Sequence, residues 1–537
     1  MGEPNKHYDA LVVGSGATGS IAVKELTERG LEVLLLEAGR DITPEDFTPP
    51  AHAWPHPLGV DLMPRIRVGL RGQHVQARRA SFKEAFAPLL VNDRENPYTT
   101  PRGRYYLWIR GRLLGGRLHT YSRMLLRMSE YDFAGGDTRE VWPISYADVE
   151  PWYDRIEEFF GLYGNSDGLK QIPDGKYIGP AFLTKPELHF KHAVEERWPD
   201  RSVVSWRYTA PNPERVPLGI LAAQKTGRLT VRTDAVVKQI SVDEKSGRAA
   251  GAVFVDRLTK QEHRVSADVV VLCASAIESL RLLLNSASPK HPTGLANSSG
   301  LLGQYFMDQM QSLTYGSSRT YVGWENDETT PPDPFYSPAG GVYVPRFHNL
   351  ETRTRPDLVT GFSFQAQMGR MPVPDGNAAM FGLMGYGEML PRRENRITVN
   401  HRRKDKWGIP AAHIDVRLTA DERTLLGEQV RAAREMLDHA DFDVSFAGSA
   451  LGLDSRDVFQ DADPISRLMF RLNFKKSMAL GAAIHECGGA RMGSDPKTSV
   501  LNEFNQSWDV PNLFVTDGSC YVTNGQVGPT LTIMALT

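Results

Sequence analysis

The amino-acid sequence predicts an α/β fold with a parallel-stranded nucleotide-binding unit at its N-terminal end and a second, α+β unit built on an antiparallel sheet. Three observations predict it. A short apolar run at residues 8–13 leads into Gly14, Gly16 and Gly19 and then into residues 20–29, of helical composition with Ile21, Ala22, Val23 and Leu26 on one side. A second run, 31–36, is continuously apolar, as a strand buried on both faces is, and ends at Glu37. Much further along, residues 361–368 and 379–390 alternate apolar with polar residues and are rich in Phe, Met and Gly, the pattern of antiparallel strands.

The first element reads as strand, turn and helix. Gly14 permits the tight turn, Gly16 lets backbone approach a pyrophosphate, and Gly19 lets the helix lie close on the strand. Amides of Ala17 and Thr18 at the helix start then face the phosphates. The second strand places Glu37 about 20 residues past the turn, where a carboxylate accepts ribose hydroxyls of an adenosine. These features fit FAD and NAD alike, because both share the adenosine diphosphate.

Bulk properties exclude several classes. With 537 residues the chain exceeds one ordinary core. Hydrophobic residues make up 41% and charged residues 23%, and a formal net charge of -2 offers no field for nucleic acid or an anionic membrane. Cys273, Cys487 and Cys520 are scattered, so neither a disulfide framework nor a metal site is written here. No apolar run reaches the roughly 20 residues of a membrane span, and the first strand starts too early for a secretory signal. The expectation is a cytoplasmic protein, with export on a partner subunit's signal left open.

Residues 43–100 are rich in proline early and basic in the middle, an excursion that reads as a solvated face, a lid or a subunit contact. Ser145 with Asp148 reads as an N-terminal cap opening an amphipathic helix, and Trp142, Trp152 and Tyr153 read as core.

The residues Glu37, Ala38, Gly39 and Arg40 resemble the flavin-binding half of the glucose-methanol-choline (GMC) oxidoreductases. Four further segments agree: RGRLLGGRLHTYSRM at 110–124, LTVRTDAVVKQI at 229–240, ADVVVLCASAIESLRLLLNS at 267–286, and the C-terminal stretch from His485 to Thr537 that opens HECGGARMG and closes GPTLTIMALT. The resemblance implies a Rossmann-like domain binding FAD through Gly14, Gly16, Ala17, Thr18, Gly19, Glu37, Ala38, Arg110, Gly115, Gly116, Thr120, Val237, Ala274, Asp517, Gly518, Gly528, Pro529 and Thr530. It implies a discontinuous layout, with 1–45, 101–141, 228–311 and 478–537 forming the FAD domain, 142–227 and 312–477 the substrate domain, and 46–100 the arm.

It also implies the chemistry. His485 stands at the family's histidine beside the reactive flavin nitrogen, and a neutral imidazole suits removal of a hydroxyl proton while hydride leaves the same carbon. Within the family the likeness is greatest to bacterial glucoside 3-dehydrogenases and C-glycoside 3-oxidases, carried by residues 142–161, 301–310 and 394–416. The expected reaction is oxidation of a secondary ring hydroxyl to a ketone, at carbon 3 of a glucoside, with electrons passed to oxygen or to a protein or quinone acceptor; pyranose 2-oxidase-like chemistry is the alternative.

The sequence departs from the family at four places. Gly528 replaces the usual second histidine or asparagine, so Asn524, Gln526 or a bound water would have to assist His485, or else the chain binds flavin without redox turnover. Thr120 stands where some relatives carry a histidine bonded covalently to FAD, with His119 one position early, which implies noncovalent FAD. Gln309 stands in place of a histidine in a Met-Asp-His sequence and is expected to have no catalytic role. The last helix is short and needs packing, against cofactor or a neighbouring subunit, to be stable.

Overall fold

A computed structural model describes residues 6–48, 62–80, 82–136, 138, 140–325, 333–336, 338–350, 355–459 and 462–537. Two seven-stranded sheets organise it. In the first, His7–Val13 lies between Val33–Leu36 and Glu262–Leu272, parallel to both, and Leu229–Arg232 extends the parallel edge. The nearly unbroken burial of the Val-rich and Leu-rich strands follows from helices covering the sheet: Ala17–Glu28 packs with Leu218–Lys225, and Ala276–Asn285 follows the strand 262–272. The first half of strand 262–272 continues into an antiparallel ribbon with Ala249–Asp256 and Ala235–Val242, while its second half accepts Leu513–Val515 in parallel. The C-terminal segment is thus tied to the N-terminal strand through one shared neighbour.

The second sheet is antiparallel throughout, in the order Gly452–Leu453, Phe442–Ser449, Met310–Val322, Ala378–Gly387, Phe362–Met368, Val342–Val344, Val204–Ser205. The strands expected from alternation at 361–368 and 379–390 are two adjacent interior members of it. Helix Ala420–His439, opened by a Thr419–Glu422 capping box, packs across this sheet through Leu425, Leu426, Ala432, Ala433 and Met436. A single hydrophobic core runs from Leu11 and Leu34 in the first sheet to Phe364 and Leu383 in the second.

The helix Tyr146–Phe160 begins with the expected Ser145–Asp148 box. Trp142 and Tyr153 are buried, but Trp152 is 46% exposed. The correction is one of helical phase: the buried positions 149, 153 and 156 define the inward face, and 152 falls outside it.

One buried ion pair fastens helix Lys185–Arg197 to the second sheet. Glu187, at the third helical position, accepts from Arg370 Nε (2.8 Å) and Nη2 (2.9 Å), and both side chains are fully buried. Removing one partner strands the other charge away from water. Glu187→Ala is expected to cost about 3–5 kcal/mol, read as a lowered denaturation midpoint; an unchanged midpoint would show the pair to be dispensable.

Candidate active site

Between the two sheets lies a cavity of about 1450 Å³, larger than the roughly 300–1,000 Å³ of an ordinary ligand pocket. One end is built by the glycine turn. Gly14 has φ +98°, and a side chain there would meet the Cys273 carbonyl oxygen at 2.5 Å; a side chain at Gly19 would meet the Gly14 carbonyl oxygen at 1.8 Å. These two glycines hold turn, helix and neighbouring strand together, and Gly19 itself does not line the cavity. A β-carbon on Gly16 would meet open space instead, at the helix N-terminus.

Glu37 is buried at the end of its strand. It accepts from the Ser15 amide (3.2 Å), the Ser15 hydroxyl (2.5 Å) and the Gly39 amide (2.8 Å), and burial raises its pKa against these bonds. Ser15 Oγ in turn accepts from the Gly115 amide, so the double-glycine segment is tied to the first turn. Gly115 serves this connection and does not line the cavity, whereas Arg110, Gly116 and Thr120 do. Ala17, Thr18, Ala38, Val237, Ala274, Asp517, Gly518, Gly528, Pro529 and Thr530 also line it. Asp517 accepts from Ser279 Oγ (2.5 Å) and from the Ser519 amide and hydroxyl.

At the other end stands His485. The preceding residue, Ile484, has φ +62°, a left-handed conformation that costs a β-branched residue about 1–3 kcal/mol and aims the histidine inward. Asp308 holds that backbone: its Oδ1 accepts from the His485 amide (3.1 Å) and its Oδ2 from the Gly481 amide (2.6 Å). Burial, followed by the nearby Glu486, pushes the Asp308 carboxyl up to about 7. The imidazole stacks on Tyr386 with ring centres 5.2 Å apart.

The protonation of the ring is fixed by Gln309. Its Nε2 lies 2.9 Å from the Gly525 oxygen, 2.9 Å from the Val527 oxygen and 3.3 Å from the Asn524 oxygen. Carbonyls accept only, so the amide nitrogen must face them and Oε1 must face His485 Nδ1, at 2.6 Å. Nδ1 therefore carries the hydrogen and donates it, leaving Nε2 with a free lone pair. A β-carbon at Gly528 would stand 3.5 Å from that nitrogen. Burial first, then the charges of Arg79 and Arg117, lower the imidazole pKa to about 3, so the ring is neutral at physiological pH.

Gln309, expected to have no catalytic role, is the positioning residue that sets the histidine's tautomer, a part the sequence reading did not find because it judged the position only by the histidine it lacks. Asn524 is also corrected. Its side chain is buried, does not line the cavity, and has no hydrogen-bond partner among the described residues for either amide atom; its main-chain oxygen joins the site through Gln309. Gln526 is likewise buried outside the lining.

Further walls of the cavity come from the second sheet, its connections and the arm. Gln365 and Gln367, two residues apart on one strand face, donate their amide nitrogens to Tyr386 Oη and to the Pro338 and Gly340 carbonyls. Trp206, Tyr315, Trp324 and Met384 add apolar surface, and Arg65, Arg79, Phe82 and Lys83 close the space from the arm.

The geometry meets known proteins here. Profiles described as GMC oxidoreductase match residues 391–537 and 219–311, and a profile for an NAD(P)-binding Rossmann-like domain matches residues 12–69. The chain belongs to the GMC oxidoreductase family. It is 28% identical to a 2-methyl-1,2-propanediol dehydrogenase of Mycolicibacterium austroafricanum, over 98% of this chain and 93% of that one. A C-glycoside 3-oxidase of Arthrobacter globiformis is 26% identical over 66% of this chain and 59% of its own. In fold, the chain superposes on the formate oxidase of Aspergillus oryzae with a TM-score of 0.68 at 14% identity, covering 99% of this chain and 97% of that one.

This GMC oxidoreductase is therefore an FAD-dependent enzyme acting on CH–OH groups. Its own residues fit FAD: open space before Gly16, a carboxylate at Glu37, a buried Arg110 Nε without a hydrogen-bond partner among the described residues, and a cavity long enough to run from Gly14 to His485. Among the described residues no helix is long and apolar enough to cross a membrane, and no cluster of side chains could hold a metal ion.

Proposed function

We propose that the enzyme oxidises a secondary ring hydroxyl of a sugar to a ketone, at carbon 3 of a glucoside, with His485 as general base. One observation carries the proposal: His485 Nε2 has its lone pair free beside Gly528, in a chamber lined by amide and aromatic side chains. FAD, when bound, accepts the hydride. The chain's own part is to hold the hydroxyl at Nε2, take its proton there, and keep the carbon bearing it oriented. Amides of the kind at Gln365 and Gln367 hydrogen-bond hydroxyls, and Trp206 and Trp324 offer flat apolar surface to a ring.

The space at Gly528 suits a bulky ring approaching Nε2 and gives no second proton acceptor. Oxygen or a protein or quinone acceptor takes the electrons afterwards. Incubation of the holoprotein with glucosides without oxygen should bleach the flavin and yield a 3-ketone. A 2-ketone would favour pyranose 2-oxidase-like chemistry. Bleaching by Gly528→Asn alone would show that the natural chain lacks turnover.

FAD is held without a covalent bond in this proposal. Thr120 lines the cavity, whereas His119 turns away, its Nε2 2.7 Å from the Leu114 oxygen and its ring edge-on to Phe47. Acid precipitation is expected to release all of the flavin into the supernatant; yellow colour kept in the pellet would contradict this.

A further inference from the structure

Charge is unevenly distributed along the cavity. Among the described residues, ten lysine and arginine side chains line it against six carboxylates, an excess of four, where a pyrophosphate brings only roughly two negative charges. Three of the lining carboxylates are already paired, Glu486 with Arg117 (2.5 Å), Glu84 with Arg67 (2.8 Å) and Asp333 with Arg215 (2.9 Å), while Asp308, behind the lining, is held by the Gly481 and His485 amides.

Arg79 is different. Its Nε donates to the Ala482 oxygen (2.9 Å), three residues before His485, and its two terminal nitrogens make no hydrogen bond or ion pair with the described residues. It lines the cavity, and it is the charge that acts most strongly on His485. The Ala482 contact and this influence place it at the histidine end, away from the Gly14–Thr18 turn that faces a pyrophosphate. The half-buried guanidinium of Arg79 feels the Asp308 and Glu486 carboxylates without forming an ion pair with either, and its planar pair of terminal donors matches a further carboxylate.

Resting on the sugar-oxidation reading above, we infer that the substrate is an anionic sugar, and that Arg79 binds its carboxylate while the ring hydroxyl meets His485. The arm at residues 62–80 then serves as the part of the site that reads substrate charge.

The test compares methyl glucuronoside with methyl glucoside, which differ in a carboxylate against a primary alcohol, as anaerobic reductants of the holoprotein. The expected kcat/KM ratio favours the glucuronoside by about 10–100-fold, the range of a charge-assisted hydrogen bond. Arg79→Met should bring the ratio to about one, and Arg79→Lys should restore part of it, with FAD content equal in all three. A ratio near one in the natural protein, or one unchanged by Arg79→Met, overturns the inference and leaves sugar oxidation standing.

If neither sugar bleaches the flavin, the oxidation reading fails and binding decides the inference. A glucuronoside-dependent change in flavin absorbance, lost in Arg79→Met, supports the anion site; no such change overturns it.

Discussion

His485→Ala is expected to slow anaerobic reduction of the bound flavin by about 10²–10⁴-fold while the protein keeps its FAD. The reason is positional as well as chemical. The imidazole is held at the backbone by Asp308, at Nδ1 by Gln309 and on one face by Tyr386, leaving Nε2 as the one ring atom free to take a proton. Stopped-flow reduction of the variant, with and without added imidazole, checks this. A loss smaller than about tenfold would mean that another group takes the proton.

The pH dependence has a definite sign. A histidine lowered to about 3 is neutral, and so able to accept a proton, at every pH above that value, and its protonation is expected to remove no activity between about pH 5 and pH 8. An acid limb near 6.5 would show that His485 titrates like a free histidine. Asp308, raised to about 7, does titrate in this range, and its ionisation places a negative charge against the His485 backbone amide. A limb near 7 that disappears in Asp308→Asn therefore belongs to Asp308.

The nucleotide end of this molecule was legible in the sequence because its chemistry is local. Gly14, Gly16, Gly19 and Glu37 act through backbone shape, helix start and strand end within about 25 residues, and such constraints leave a short-range pattern. Two adjacent interior strands of the second sheet were legible by alternation. The histidine end is assembled from residues remote in the chain: Arg79 from the arm, Asp308 and Gln309 before one strand, Tyr386 within another, and His485 in the C-terminal segment. No periodicity joins those positions. Gln309 shows the difficulty, since a glutamine gains its meaning only from three carbonyls more than 200 residues away. Asn524 shows the converse, a polar residue in the right loop whose side chain the fold directs elsewhere.

Gln309 gives the second large expected effect. Gln309→Met keeps the length and removes both the acceptor for Nδ1–H and the donor to the 525 and 527 carbonyls. Without the acceptor the neutral ring is free to place its hydrogen on either nitrogen, and a ring protonated at Nε2 cannot receive the substrate's proton. Loss of tautomer control alone costs catalytic histidines up to about 10⁴-fold in kcat; here, where Nδ1 loses a neutral partner instead of a carboxylate, about 10²-fold is expected. Because the glutamine touches neither substrate nor flavin, the fall should appear in kcat with KM nearly unchanged. Gln309→Glu separates orientation from hydrogen bonding: it keeps the acceptor, loses the donor to three carbonyls, and adds a charge that should raise the His485 pKa into the range where an acid limb is seen. A Gln309→Met enzyme with normal kcat, or a Gln309→Glu enzyme with the natural pH profile, would show that the ring is oriented by Asp308 and Tyr386 without help from the glutamine.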